Sequence, residues 1–135
     1  MKRTWFLSLL ICTISLCFAQ QNPDPWLISK ALAIPKKLTY TTDSLSTYIK
    51  QNFKTDEEKI QAIYAWVTGN IRYSFDSANQ INLGPDESLK VTAALRRRKG
   101  VCENYAAIIN ELANKSELTS FIVSGITKQS NAIDN

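Results

Sequence analysis

The run from Leu95 to Leu112, Leu-Arg-Arg-Arg-Lys-Gly-Val-Cys-Glu-Asn-Tyr-Ala-Ala-Ile-Ile-Asn-Glu-Leu, constrains the fold of this chain most. It closes one helix and opens another within a few residues. The basic residues Arg96, Arg97, Arg98 and Lys99 suit the C-terminal end of a helix, where cations complement the dipole, and read as a solvated helix end. Gly100 supplies a sharp turn. Behind it, Tyr105, Ile108, Ile109 and Leu112 recur at helical spacing, which places Cys102 on a helix N-terminus. Free N–H groups and the positive end of the dipole at such a position favour a thiolate over a thiol. The alternative for Cys102 is a small buried hydrophobe, since free cysteine is among the most often buried residues.

Upstream, Asp43 caps a helix that runs to Phe53 with Leu45, Tyr48, Ile49 and Phe53 along one face. Thr55 and Glu58 form a capping box for the next helix, which extends to about Gly69 or Asn70. Its apolar stripe is Ile60, Ile63, Tyr64, Val67 and Ile71, and Trp66 widens the buried face as a core residue rather than a groove-lining one. Ile71 to Phe75 alternates as a short extended segment, and Asp76 to Asp86 is a loop. A further helix opens at Asp86 or Ser88 and buries Val91, Ala94 and Leu95. The acidic residues Asp76, Asp86 and Glu87 match no calcium-loop spacing, and no metal is expected. After the cysteine helix, Lys115-Ser116-Glu117 breaks the pattern, and Leu118 to Ile126 reads as a strand centred on Phe121, Ile122 and Val123.

Arg98, Gly100, Cys102 and Tyr105, as R-x-G-x-C-x-x-Y, together with the helix Ile63 to Tyr73 and the stretches Leu112 to Lys115 and Ile122 to Gly125, resemble the transglutaminase-like superfamily of papain-like fold in its bacterial secreted branch. The likeness covers roughly Asp43 to Lys128. It implies an α+β fold, with helices packed on a small antiparallel sheet that is incomplete in this chain. It also implies acyl transfer from an amide through a thioester on Cys102, as hydrolysis or transamidation, with a protein or peptide as substrate. A cell-envelope peptide fits that description, and Tyr105 packs rather than catalyses. Members of the family carry a catalytic histidine and then an aspartate or asparagine on later strands, and this sequence contains no histidine.

Three readings follow from that departure. The chain is a truncated form of a secreted cysteine protease or transamidase, whose base lies beyond Asn135; or it is a noncatalytic secreted binding domain of the same fold; or Cys102 is a structural thiol that pairs with another molecule. The first is the expectation carried forward.

The N-terminus fixes the compartment and the cysteine count. Lys2 and Arg3, an apolar run from Trp5 to Phe18 and small residues at Cys17 and Ala19 read as a secretory signal peptide over residues 1–19, cut after Ala19. The apolar run is too short for a stable membrane span, and Leu16 is a poor fit before a lipidated Cys17. Cleavage removes Cys12 and Cys17, leaving Cys102 as the one cysteine of a secreted or periplasmic product, so no internal disulfide is available. It also lowers the formal net charge from +4 to about +2, which gives no hint of nucleic acid. The remaining organisation is a leader over 20–42, a domain over 43–128 and a disordered tail over 129–135. No cofactor is expected.

Overall fold

A computed structural model describes residues 24–74, 87–123 and 125. Its elements in chain order are α1 (Pro25–Leu32), a 3-10 turn (Lys36–Leu38), α2 (Thr42–Asn52), α3 (Asp56–Asn70), β1 (Arg72–Tyr73), α4 (Glu87–Arg97), β2 (Lys99–Gly100) and α5 (Cys102–Lys115). α5 lies against α2, α3 and α4, while α1 packs on α3. The fold is α+β, with most of its mass in helices and one two-stranded sheet among the described residues.

Local signals in the sequence start most of these helices. The Thr55 hydroxyl accepts from Glu58 N at 3.1 Å, capping α3. The return arm lands one residue upstream of the usual place, with Lys54 N donating to Glu58 Oε2 at 2.7 Å. α2 begins slightly earlier than its acidic residue suggests: Thr41 is the cap, accepting from Ser44 N, and Asp43 sits in the first turn. α1 stands where the sequence reads as leader. Asp24 caps it by accepting from Trp26 N at 2.9 Å, and Pro25 occupies the first turn, where a missing N–H has no consequence. Its Leu27 and Ala31, with Ile34 beyond it, join the core.

That core is built from Leu45, Ile49 and Phe53 of α2 and its C-cap, Ile63, Trp66 and Val67 of α3, Val91, Ala94 and Leu95 of α4, and Ile108 and Leu112 of α5. Trp66 is 1% exposed, as expected of a core residue. The α3 stripe is narrower than its periodicity suggests. Ile63, Val67 and Ile71 are buried, but Ile60 and Tyr64 are exposed on the flank facing α1. There Gly69 permits close approach, since a Cβ on it would lie 2.4 Å from Leu32 Cδ2.

The sheet corrects the antiparallel expectation. β1 and β2 pair in parallel, Arg72 beside Lys99 and Tyr73 beside Gly100. The physical reason is the connection: the chain between them contains α4, and a helical crossover returns the second strand in the same direction as the first. The expected strand around Phe121 to Val123 is likewise not formed. Those residues have no ladder partner and are exposed. Before them, α5 ends in a Schellman motif, with Glu117 at φ 68°, Leu118 N donating to Ala113 O and Glu117 N to Asn114 O. Asn114 then holds Ser120 by two backbone contacts, Ser120 N to its Oδ1 and its Nδ2 to Ser120 O.

The expected signal peptide, the loop over 76–86 and the tail over 129–135 lie outside the described residues. Among the described residues, no helix is long and apolar enough to cross a membrane.

Candidate functional site

Cys102 is the first residue of α5 and its side chain is exposed, so the buried-hydrophobe alternative does not hold. The preceding Val101 has extended backbone and no side-chain oxygen, so no residue caps the first turn from the N-terminal side. Stabilisation comes instead from inside the helix. Asn104, 1% exposed, accepts from Val101 N through Oδ1 at 2.9 Å and reaches Lys90 O through Nδ2 at 3.5 Å. One arm of a capping box is thus made and the other cannot be. The backbone N–H groups of the first turn therefore stand beside the exposed thiol, in the place where an anion is favoured.

Gly100 contributes space rather than a turn conformation. A Cβ on it would lie 2.7 Å from Asn104 Cβ, well inside contact distance. The left-handed residue at this junction is Arg98, with φ 54°. It ends α4 and sends the chain into β2, where Arg98 O accepts from Arg72 N at 2.9 Å.

Arg98 is also the main departure from a solvated basic run. Its Nη2 donates to Thr39 Oγ1 at 2.6 Å and Thr39 O at 3.0 Å, and its guanidinium lies 5.2 Å from the Trp66 ring and 5.9 Å from the Tyr40 ring. Burial lowers its pKa from the usual arginine value, opposed by the Tyr40 phenol. The sequence holds no local sign of this role, because Thr39 is 59 residues away.

Tyr105 packs and ties, as expected. Its hydroxyl donates to Ile71 O at the end of α3, and its ring lies 6.2 Å from that of Tyr73. Burial raises its pKa, with Tyr73 adding to the effect, so the hydroxyl keeps the proton it donates. Glu103, next to the thiol, forms an ion pair with Lys90, whose side chain is nearly buried. The negative charge that the sequence places beside Cys102 therefore has a partner.

The arrangement presents one exposed thiol at a helix start, clamped by contacts from α3, α4 and the strand pair. Among the described residues, no group of three or more histidine, cysteine or acidic side chains is placed to hold a metal.

Comparison with known proteins places this geometry in context. The sequence model of the Transglutaminase-like superfamily matches residues 43–135. The UPF0252 protein MJ1282 of Methanocaldococcus jannaschii is 28% identical over 99 residues, covering 71% of this chain and 27% of that protein. The Kyphoscoliosis peptidase of Homo sapiens is 27% identical over 86 residues, covering 64% of this chain and 13% of that protein. The chain thus spans about a quarter of the first relative and about an eighth of the second. No solved structure matches the chain significantly.

Proposed function

The chain belongs to the transglutaminase-like superfamily, and on that footing we propose that Cys102 is the nucleophile of an acyl-transfer domain acting on amides of a protein or peptide outside the cytoplasm. The observation that carries the reading is the exposed thiol at the first position of α5, inside the R-x-G-x-C-x-x-Y pattern and beside uncapped N–H groups.

In this reading the Cys102 thiolate attacks an amide carbonyl carbon. The C–N bond breaks, the nitrogen leaves as an amine with a proton from a general acid, and the acyl group remains on Sγ as a thioester. Water or a second amine then attacks the thioester and returns the thiol, giving hydrolysis or crosslinking. The N–H groups at the start of α5, including that of Cys102, are the candidate donors to the oxyanion. Tyr105 and Arg98 take no part in the proton transfers, since both are committed to structural hydrogen bonds. The 135 residues contain no histidine, so the reading requires a base from outside them, in a longer product or a partner. The same fact favours the second reading, a noncatalytic envelope-binding domain that keeps the cysteine helix.

One experiment separates the two. The natural secreted product is purified, its mass and N-terminus are measured, and it is incubated with a glutamine-containing peptide before acid quench. The enzyme reading expects an N-terminus after Ala19, a mass above that of residues 20–135, and a peptide adduct on Cys102 that hydroxylamine removes. A product ending at Asn135 with no adduct would move the protein to the binding reading.

A further inference from the structure

The apolar stripe of α3 is wider than the packing of a single chain uses. Ile63, Trp66 and Val67 are buried, but Ile60 and Tyr64 are 52% and 64% exposed, and Leu32 of α1 is 46% exposed. These three side chains line one groove of about 510 Å3 between α1 and α3, together with Ile28, Ala65 and Gly69. Large apolar residues gathered in one exposed groove mark an interaction surface, whereas the same residues scattered singly would need no explanation.

The groove has a direction. Leu32 at the end of α1 lies against Gly69 near the end of α3, and Ile28, one turn earlier, borders the groove with Ile60 and Tyr64. Lys30 reaches back to the Asn52 carbonyl, just before α3 begins, so the two helices run in the same sense. The N-terminal end of the groove is acidic. Glu57 shares the helical face of Ile60, Gln61 and Tyr64, and accepts from the groove-lining Gln61 through its Oε1 at 3.3 Å. The C-terminal end is basic, since Lys36 borders the cleft that continues past Leu32 and Gly69. Among the described residues, neither Glu57 nor Lys36 is ion-paired.

An acidic end, an apolar middle and a basic end make a groove that is complementary to itself after a two-fold rotation. With the axis at Tyr64, α3 lies antiparallel to the α3 of a second copy, which also opposes the two helix dipoles. Ile60 stands about 6 Å before Tyr64 along the helix and Gly69 about 7.5 Å after it, so each Ile60 meets the other copy's Leu32 and Gly69. Glu57, a turn further out, falls opposite the other copy's Lys36. We propose that the α1–α3 groove is the interface of a two-fold symmetric dimer, with a second copy of this chain as its occupant. A second copy supplies both end charges in reverse order, which an apolar small molecule does not. Cys102 does not line the groove, and the inference is independent of the acyl-transfer reading.

Sedimentation velocity of the whole chain over a concentration series, in the presence of reductant, tests it. The expected result is a reversible dimer with a dissociation constant on the order of 10–100 μM. Tyr64→Asp and Ile60→Glu, at exposed side chains, should leave the urea midpoint unchanged and each raise the dissociation constant about tenfold. Glu57→Lys and Lys36→Glu should each weaken association about three- to fivefold, because like charges then face each other at two symmetric positions. An equimolar mixture of these two variants should associate as tightly as wild type, since each chain then offers the charge the other needs. Cys102→Ala should dimerise as wild type does. A protein with no dimer at about 0.5 mM, unchanged affinity in Tyr64→Asp or Ile60→Glu, a mixture no tighter than its components, or a dimer lost in Cys102→Ala would each overturn the inference. A strictly monomeric protein that saturably binds an apolar fluorescent dye would also overturn it, and would give the groove to a small apolar ligand.

Discussion

Replacing Gly100 by alanine tests whether Cys102 is positioned by close packing or by a flexible turn. The new Cβ would stand 2.7 Å from Asn104 Cβ, against the 3.5–4.0 Å of an ordinary carbon contact, so β2 and the first turn of α5 must separate by about 1 Å. The obstructing atom is a Cβ fixed to helix backbone, and it cannot rotate away. Overpacking of this kind costs about 1–3 kcal/mol. If Asn104 moves instead, its 2.9 Å bond from Val101 N is lost, adding about 1 kcal/mol. The expected loss is therefore about 2–3 kcal/mol, a fall in Tm on the order of 10 °C for a domain of this size. Urea unfolding followed by the fluorescence of the buried Trp66 measures it. The decisive arm is Asn104→Gly, which removes the Cβ in the way. It costs about 2 kcal/mol by itself, from the lost bond and helix glycine, but in its background Gly100→Ala should cost under about 0.5 kcal/mol. A single Gly100→Ala variant within about 0.5 kcal/mol of wild type would refute the packing argument, as would strict additivity in the double variant.

Two further outcomes follow from charge placement. Lys90→Met leaves Glu103 unpaired beside Cys102, and the alkylation rate of the thiol at neutral pH should fall about two- to fivefold, the scale of a partly exposed ion pair; an unchanged or faster rate would mean the pair does not shape the site. Lys115 binds Asp43, Glu111 and the Thr42 hydroxyl, and although burial pulls its pKa down, the two carboxylates raise it above the usual lysine value. A raised lysine stabilises the fold fully below its unfolded value of 10.5 and loses that contribution as pH climbs through the higher folded value. Because the side chain is 36% exposed, solvent screening holds the effect to under about 1 kcal/mol. Urea midpoints of Lys115→Met should therefore lie slightly below wild type from neutral pH to about 10 and converge above it, and a gap that widens at high pH would show the sign to be wrong.

The parts of the fold legible in the sequence are those set by neighbours. Thr55 with Glu58, the stripe of Leu45, Ile49 and Phe53, and the start of α5 at Cys102 all depend on residues within a turn or two, and the structure has them where the periodicity puts them. α1 was also within reach: Asp24 followed by Pro25 is a start signal, masked by the polar residues before it and the short span to Pro35. The rest depends on distant partners. Ile60 and Tyr64 share the helical period of the buried α3 residues, and only the position of α1 leaves them outside. Phe121 to Val123 carry strand composition, but composition cannot supply the neighbouring strand that would satisfy their backbone. The direction of β2 followed from the length of its connection, which the sequence displays, rather than from the strand residues themselves.

The same distinction explains what the R-x-G-x-C-x-x-Y pattern encodes. Arg98 reverses the chain in left-handed backbone and anchors the reversal on Thr39, Tyr40 and Trp66. Gly100 lets the strand lie against Asn104, and Tyr105 fastens the first turn of α5 to the end of α3 through Ile71 O. Three of the four residues thus fix the position of the fourth. Each acts on a different neighbour, so loss of any one should displace the thiol without touching it chemically. A chain can retain this device whether or not a base completes it, because the contacts that position Cys102 come from residues within 39–105. The pattern is therefore evidence for where the thiol stands, and in the proposed reading turnover is decided by the proton acceptor, a separate group on which the placement of the thiol does not depend.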